Sequence, residues 1–575
     1  MRRPAVFSMA LLVLGCRPAA PLDADLLETG ENDSGTRETG GLETGSSETG
    51  ESDGLPAICQ VDARDGSEAP APALSREELV SGSSPTGLVD EAAFRAAAGA
   101  GTPLHTFEGR LRIRPTFEQR TVHEAEGWIS SEMRDGRLPE VEAEWVQCGE
   151  VLAPIQRGRQ IGSDDSWDVM LSPGRIWSNP ADGGASRVAL PFTVVPKTFN
   201  CVHNGSMTFL FDGESVSDVR YQLAQETCHF LKFDAWGRAD AEWTPEPSEA
   251  AAAGREALAL ELENRIPVKD FAALEAAYPD AGISELDGLL TLSDISARGV
   301  LTDGTLYLED CRTRAGSYSF CEDIVLPSFS LAKTLYAGVG LAAMAQEFSE
   351  DPHAQTLGDL LGAQGTWAGV TVENALDMAT GHYLFENQQD ADIPGFYSSL
   401  ELEGRLAATF DLPKRREPGQ RVVYLTPNTQ AVSAAMDVFL ERQGADLVDS
   451  FDYLVDRVLK PLGVPPESFH SLRTWESGGA NNGTAFGGYG MWFTPQGVAK
   501  LGDFLQRGGD GLLAAEPWAQ MMFQSEDRGA PMNYYQYRYN NGMWAWPVSG
   551  CNKLAPILFG VSGITVILPP NGQVH

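Results

Sequence analysis

The pattern of apolar and polar positions changes character twice along the chain. Up to about residue 58 there is one short apolar run, at 5–14, and almost no periodicity after it. From there to about 245 the pattern is mainly extended. The stretches 188–195, 206–211 and 219–223 read as strands, punctuated by Asp212-Gly213 and other turn residues. Beyond 245 helical periods enter. Residues 248–264, held between Pro247 and Pro267, read as a helix. Strand-like segments follow at 289–296 and 299–308, the second folded about Asp303-Gly304, a two-residue hairpin signal. Residues 371–381 read as a capped helix ending at Gly381, 422–424 as a short extended piece and 429–443 as a periodic helix. Thr494-Pro495 starts another helix, and 557–559 and 565–568 read as adjoining strands about Gly560-Val561-Ser562-Gly563.

One stretch, 324–341, stands apart. An extended apolar run meets Pro327, and Ser330 then opens a long helix that is apolar nearly all round, as a buried central helix is. Lys333, three residues after Ser330, shares its helix face. A serine hydroxyl needs an adjacent base to become a nucleophile, and lysine serves only where desolvation lowers its pKa, which apolar surroundings provide. Ser-x-x-Lys is short, and a chain this long holds about one by chance, so the spacing alone does not decide between catalysis and packing.

Composition adds bounds. At 575 residues, 42% hydrophobic and 21% charged, the chain is globular and too long for one ordinary domain. A net charge of −38 argues against nucleic acid as a partner. Part of that charge is local: between Arg17 and Pro56 lie ten acidic residues against two arginines, with four Glu-Thr-Gly copies. This segment reads as a disordered, solvated tether. Arg2 and Arg3 ahead of the 5–14 run, then Val13-Leu14-Gly15-Cys16, are similar to a bacterial lipoprotein signal, which implies lipidation at Cys16 and a cell-envelope protein facing periplasm or surface. Cleavage near Ala19-Ala20 and an uncleaved anchor are the alternatives. Of the seven cysteines beyond Cys16, Cys201 and Cys228 flank a hairpin-like region, and Cys311 and Cys321 are placed to close a small loop before Ser330. An odd number leaves one at least free or paired elsewhere. No Cys/His cluster has metal-ligand spacing, so neither metal nor cofactor is predicted.

The pieces of the second half, in this order, resemble the serine β-lactamase and penicillin-binding-protein superfamily, most of all the class C-type esterases and 6-aminohexanoate-dimer hydrolases. The Asp-Gly hairpin precedes Ser330-Leu331-Ala332-Lys333. Asp377-Met378-Ala379-Thr380-Gly381 is similar to the helix end Met-x-Ser/Thr-Gly, and Pro418-Gly419 with Tyr424-Leu425-Thr426 to the Pro-Gly turn and Tyr-x-Asn/Ser motif. Gly560-Val561-Ser562-Gly563 falls where the family has Lys-Thr-Gly or His-x-Gly. The resemblance spans roughly residues 285–575. It implies an α+β fold: an antiparallel sheet flanked by helices, plus an all-α region, here preceded by a β-rich domain. The expected order is therefore a signal at 1–16, a tether at 17–58, a β-rich domain at 59–245 that shields or binds, and a hydrolase domain at 246–575.

The resemblance also implies roles. Ser330 attacks a carbonyl, Lys333 takes its proton and Tyr424 completes the relay; backbone N–H groups of Ser330 and Ile564 receive the oxyanion. Thr426, Ser562 and Gly563 touch substrate. Three departures qualify this. Val561 stands where the family carries a lysine or histidine for a substrate carboxylate, which puts β-lactams and D-alanyl peptides behind a small ester or amide. Thr426 replaces asparagine or serine. The chain stops at His575, inside the strand implied next, so it is a fragment or its sheet lacks an edge. The alternative to a hydrolase is a non-catalytic envelope lipoprotein that binds through the same fold, with Tyr424 a core tyrosine and Ser562 an ordinary turn serine.

Overall fold

The structure, a computed structural model, describes residues 74–96, 100–279, 294–386, 390–476, 481–524, 537–548 and 554–569, with 283 and 388 besides. The signal with Cys16, the Glu-Thr-Gly tether, Cys59, most of the strand expected over 289–296, Cys551 and the end at His575 lie outside them.

The extended pattern of the first half forms ten antiparallel strands. They are β1 (Gly109–Ala125), β2 (Val141–Cys148), β3 (Val151–Pro154), β4 (Gly158–Gln160), β5 (Trp167–Leu171), β6 (Gly174–Ser178), β7 (Ser186–Pro196), β8 (Val202–Phe211), β9 (Val219–Thr227) and β10 (Leu231–Thr244). Their order is β4-β5-β7-β6-β3-β2-β1-β10-β9-β8, and β7 also pairs with β8. Eight of them therefore close into a barrel, with β4 and β5 continuing the edge of β7 beyond β6. Closure was not legible locally, since it joins the first strand to the last: β1 lies along β10 from Arg110 opposite Thr244 to Ala125 opposite Leu231. Along β1, Leu111 and Ile113 point inward while Arg112 and Arg114 pair outside with Glu140 and Glu242. β7 and β8 show no such alternation and are buried at every position. Val188, Leu190 and Phe192 fill the barrel, while Ala189 and Val195 join apolar clusters of the second half. These strands have a core on both sides.

The second half mixes helices with small sheets, so the chain is α+β as expected. β11 (Val268–Asp270), β12 (Gly299–Thr302) and β13 (Thr305–Leu308) make one sheet, β12 and β13 turning at Asp303 (φ 48°) and Gly304 (φ 71°). Both central residues have positive φ, which is why the Asp-Gly signal was reliable. Two short pairs follow, β14 (Arg312–Thr313) with β15 (Gly316–Ser317), and β16 (Leu326–Pro327) with β17 (Trp492–Phe493). The antiparallel sheet β18 (Arg538–Asn540), β19 (Met543–Pro547), β20 (Leu554–Phe559) and β21 (Thr565–Ile567) lies beside Ser330: a Cβ on Gly560 would sit 3.1 Å from Ser328 O. The central helices are Val339–Glu347 and Thr426–Gln443. The latter starts three residues earlier than its apolar period, because Pro427 sits in its first turn, where no backbone N–H is needed. The helix expected over 371–381 is only Val372–Leu376, capped by Thr371; Met378 (φ 56°) and Gly381 (φ 77°) then turn the chain. Residues 422–424 form no strand. Cys201–Cys228 and Cys311–Cys321 are disulfides as expected, Cys148 is disulfide-bonded too, and no described cysteine is free.

Candidate active site

Ser330 does not open a regular helix. It lies in a 3-10 turn, Phe329–Leu331, followed by a π-helical turn, Lys333–Gly338, before the α-helix begins at Val339. The turn between β18 and β19 accounts for the irregularity. Gly542 approaches so closely that a Cβ there would lie 2.5 Å from Lys333 O, and Thr334 Oγ1 donates to Gly542 O at 2.6 Å. Wide turns of this kind recur at functional sites.

The irregular start still brings the serine and lysine together. Lys333 Nζ is 3.0 Å from each of Ser330 Oγ, Thr426 Oγ1 and Gly488 O. The side chain is 1% exposed, and burial pulls its pKa from 10.5 to about 8, against the opposing pull of the Asp390 carboxylate. Which way the neutral amine faces follows from its partners. The Gly488 carbonyl can only accept. Thr426 Oγ1 donates its proton to Asp390 Oδ2 at 2.5 Å, so toward Lys333 it too accepts. Ser330 is the one contact with a proton to give, so the amine lone pair points at the serine. That is the arrangement of a general base on its nucleophile.

Tyr424 joins them from the side. Its ring centroid is 5.0 Å from Lys333 Nζ, with Trp544 and Tyr539 packed against it at 4.9 and 5.5 Å. Burial pushes its phenol above the ordinary value, and a hydrogen bond with the Ser330 side chain works against that rise. Near neutral pH it is a phenol, able to donate. Ile564 packs against both the barrel cluster and the main core, at the foot of a 3-10 turn, Val561–Gly563, that links β20 to β21. Val561 is 50% exposed there and Phe559 43%, an apolar rim where the resemblance implied a cation. Gly563 is exposed, with φ 82°; of Ser562 only its place in the turn is described.

Thr426, expected at the substrate, is 4% exposed, and its hydroxyl is hydrogen-bonded to Lys333 and Asp390. Asp390 itself, whose Oδ1 also takes the Thr426 N–H at 2.7 Å and whose Oδ2 takes the Tyr397 hydroxyl at 3.1 Å, was missed. Nothing local marks it, since it lies 36 residues from its partner. Gly488 belongs to the stretch Gly487-Gly488-Tyr489-Gly490, and its carbonyl has no local sign of a partner 155 residues away.

No family model matches the chain, nor does any curated protein. Solved structures do. The chain is similar to a D-stereospecific amidohydrolase from Streptomyces sp., at 16% identity over 48% of this chain and 86% of that one, TM-score 0.35. It is similar to the octameric penicillin-binding protein homologue from Pyrococcus abyssi, at 14% over 51% and 72%, TM-score 0.38. A penicillin-binding protein homologue from Caulobacter crescentus matches at 18% over 53% and 90%, TM-score 0.36. Each likeness leaves about half of this chain uncovered.

Proposed function

We propose that the chain is a serine hydrolase that cleaves a small ester or amide through an acyl-enzyme on Ser330. The observation that carries this is the buried Lys333 amine, its pKa lowered by burial to about 8, standing 3.0 Å from Ser330 Oγ, the one of its hydrogen-bond partners with a proton to give. Neutral Lys333 takes the hydroxyl proton as Oγ attacks the carbonyl carbon. Backbone N–H groups of Ser330 and Ile564 receive the oxyanion. The proton passes from Lys333 through the Tyr424 hydroxyl to the leaving group, and water then releases the acid by the reverse relay. The exposed, aliphatic Val561 offers no charge to a substrate carboxylate, which favours a neutral ester over β-lactams or D-alanyl peptides. A lipid on Cys16 would hold this hydrolase at the cell envelope.

The same Val561 favours a second reading, a non-catalytic envelope protein that binds through this fold. A fluorophosphonate probe separates them. Labelling of the full-length chain that disappears in Ser330→Ala supports the hydrolase. A folded wild-type chain that takes up neither fluorophosphonate nor β-lactam probes supports the binding protein.

A further inference from the structure

We infer that Asn200, contributed by the barrel, is a positioning residue for Ser330, so that the barrel is a working part of the active site and not a cover over it. The inference rests on Ser330 being the nucleophile. Asn200 lies in the loop between β7 and β8 and is 2% exposed. Its Oδ1 accepts from Phe329 N at 2.7 Å, from Ser328 Oγ at 3.1 Å and from Gly490 N at 3.1 Å, while its Nδ2 donates to Met491 O at 3.1 Å. Every partner belongs to one of two segments. One is the pair of residues directly before Ser330. The other follows Gly488, whose carbonyl holds Lys333. The two segments also bond each other, through Ser328 N to Met491 O at 2.9 Å, Met491 N to Ser328 Oγ at 3.1 Å and the β16–β17 pair, and a single side chain from outside the hydrolase half is bonded to both at the end nearest Ser330.

What Asn200 holds is a conformation that resists being held. Phe329 has φ 41°, in the left-handed region where a bulky side chain is disfavoured by about 1–3 kcal/mol. Such a residue stays put only where its surroundings leave it no alternative. Here the barrel supplies both restraints. Asn200 fixes the Phe329 N–H, and the Phe329 ring belongs to the barrel's own apolar cluster. The Cys201–Cys228 disulfide ties down the residue next to Asn200. Release of Phe329 would let Ser330 Oγ swing from its 3.0 Å contact with Lys333, and a displacement near 1 Å costs on the order of a hundredfold in rate.

Mere adhesion between the halves predicts something different, and a second asparagine provides the comparison. Asn481 is also buried and also bridges them, donating to Lys197 O at 3.0 Å and accepting from Arg473 N at 3.2 Å, and among the described residues neither hydrogen bond reaches Ser330, Lys333 or the residues beside them. The experiment uses the full-length chain, with rates normalised to folded protein. It follows the rate at which a fluorophosphonate phosphonylates Ser330 with loss of fluoride, and hydrogen exchange at the Phe329 amide. Asn200→Ala should slow the maximal labelling rate roughly tenfold or more at unchanged probe affinity, and should expose the Phe329 amide. Asn200→Asp, which keeps the acceptor, should recover most of the rate, and Asn481→Ala should lower the melting temperature without changing either readout. If Asn200→Ala does not fold, Asn200→Ser, too short to reach Phe329, carries the same comparison. Wild-type labelling in Asn200→Ala or Asn200→Ser, equal slowing by Asn481→Ala, or an unchanged Phe329 amide in Asn200→Ala would overturn the inference. If the wild type itself takes no label, the hydrolase reading falls, and exchange alone decides whether Asn200 is the clamp.

Discussion

Thr426 Oγ1 donates to Asp390 Oδ2 at 2.5 Å, and that one bond determines which face of the Lys333 amine is left for Ser330. Asp390→Asn should reverse it, because the new amide donates where the carboxylate accepted. Thr426 is then free to compete with Ser330 for the lysine lone pair. Two effects are expected together. The maximal rate falls, and the acid limb of the kcat/KM profile moves to lower pH, since the Asp390 charge is what works against the lowering of the Lys333 pKa. A pH–rate profile on an ester substrate checks both. An unmoved limb would show that the carboxylate is not felt by the lysine.

Lys333 itself should leave a signature in stability. Its pKa is lowered from 10.5 to about 8 on folding, so between those values the unfolded chain binds more protons than the folded one. Stability therefore rises with pH across that window and is lower by about 3 kcal/mol beneath it. Lys333→Met removes this dependence along with activity. Denaturant unfolding of both proteins at pH 7 and pH 10 reads the difference, and in the wild type kcat/KM should climb through about pH 8.

Gly488 has no room for a side chain. A Cβ would lie 2.5 Å from Thr426 Cγ2 and 2.7 Å from Thr429 Oγ1. Gly488→Ala should cost about 1–3 kcal/mol in melting experiments and push Thr426 off the lysine. The turnover should fall roughly ten- to a hundredfold, with KM little changed.

The Cys201–Cys228 disulfide spans 27 residues of barrel. Replacing both cysteines by serine should cost about 3–4 kcal/mol by relaxing the unfolded chain. Comparison of unfolding under oxidising and reducing conditions, in wild type and double variant, checks this; the variant should lose less stability to reductant than the wild type, since only Cys311–Cys321 and the disulfide of Cys148 are left to reduce.

What the sequence disclosed and what it withheld divide along chain distance. Ser330 and Lys333 were legible because three residues on a helical path put two side chains together whether the path is α or 3-10. Asp303-Gly304 and the Thr371 cap were legible for the same reason, each being satisfied within a few residues. The strand at 188–195 was visible as an apolar run, but its lack of alternation could mean only burial, not which core lay on which side. Barrel closure, Asn200 and Asp390 had no local signal. Their partners lie tens to more than a hundred residues away, and an asparagine or aspartate in a loop is ordinary until the fold shows what it touches.

Joining its first strand to its last imposes an order of events on the barrel. β10 ends at Thr244, so the ring cannot be completed until that residue has left the ribosome, and pairing across such a separation is among the slower steps a chain takes. The segment that ends in Ser330 is synthesised only afterwards. A copy whose ring has failed to close offers Phe329, and through it the serine, no Asn200 to bond. Assembly of the front half becomes the checkpoint through which the reactive hydroxyl has to pass.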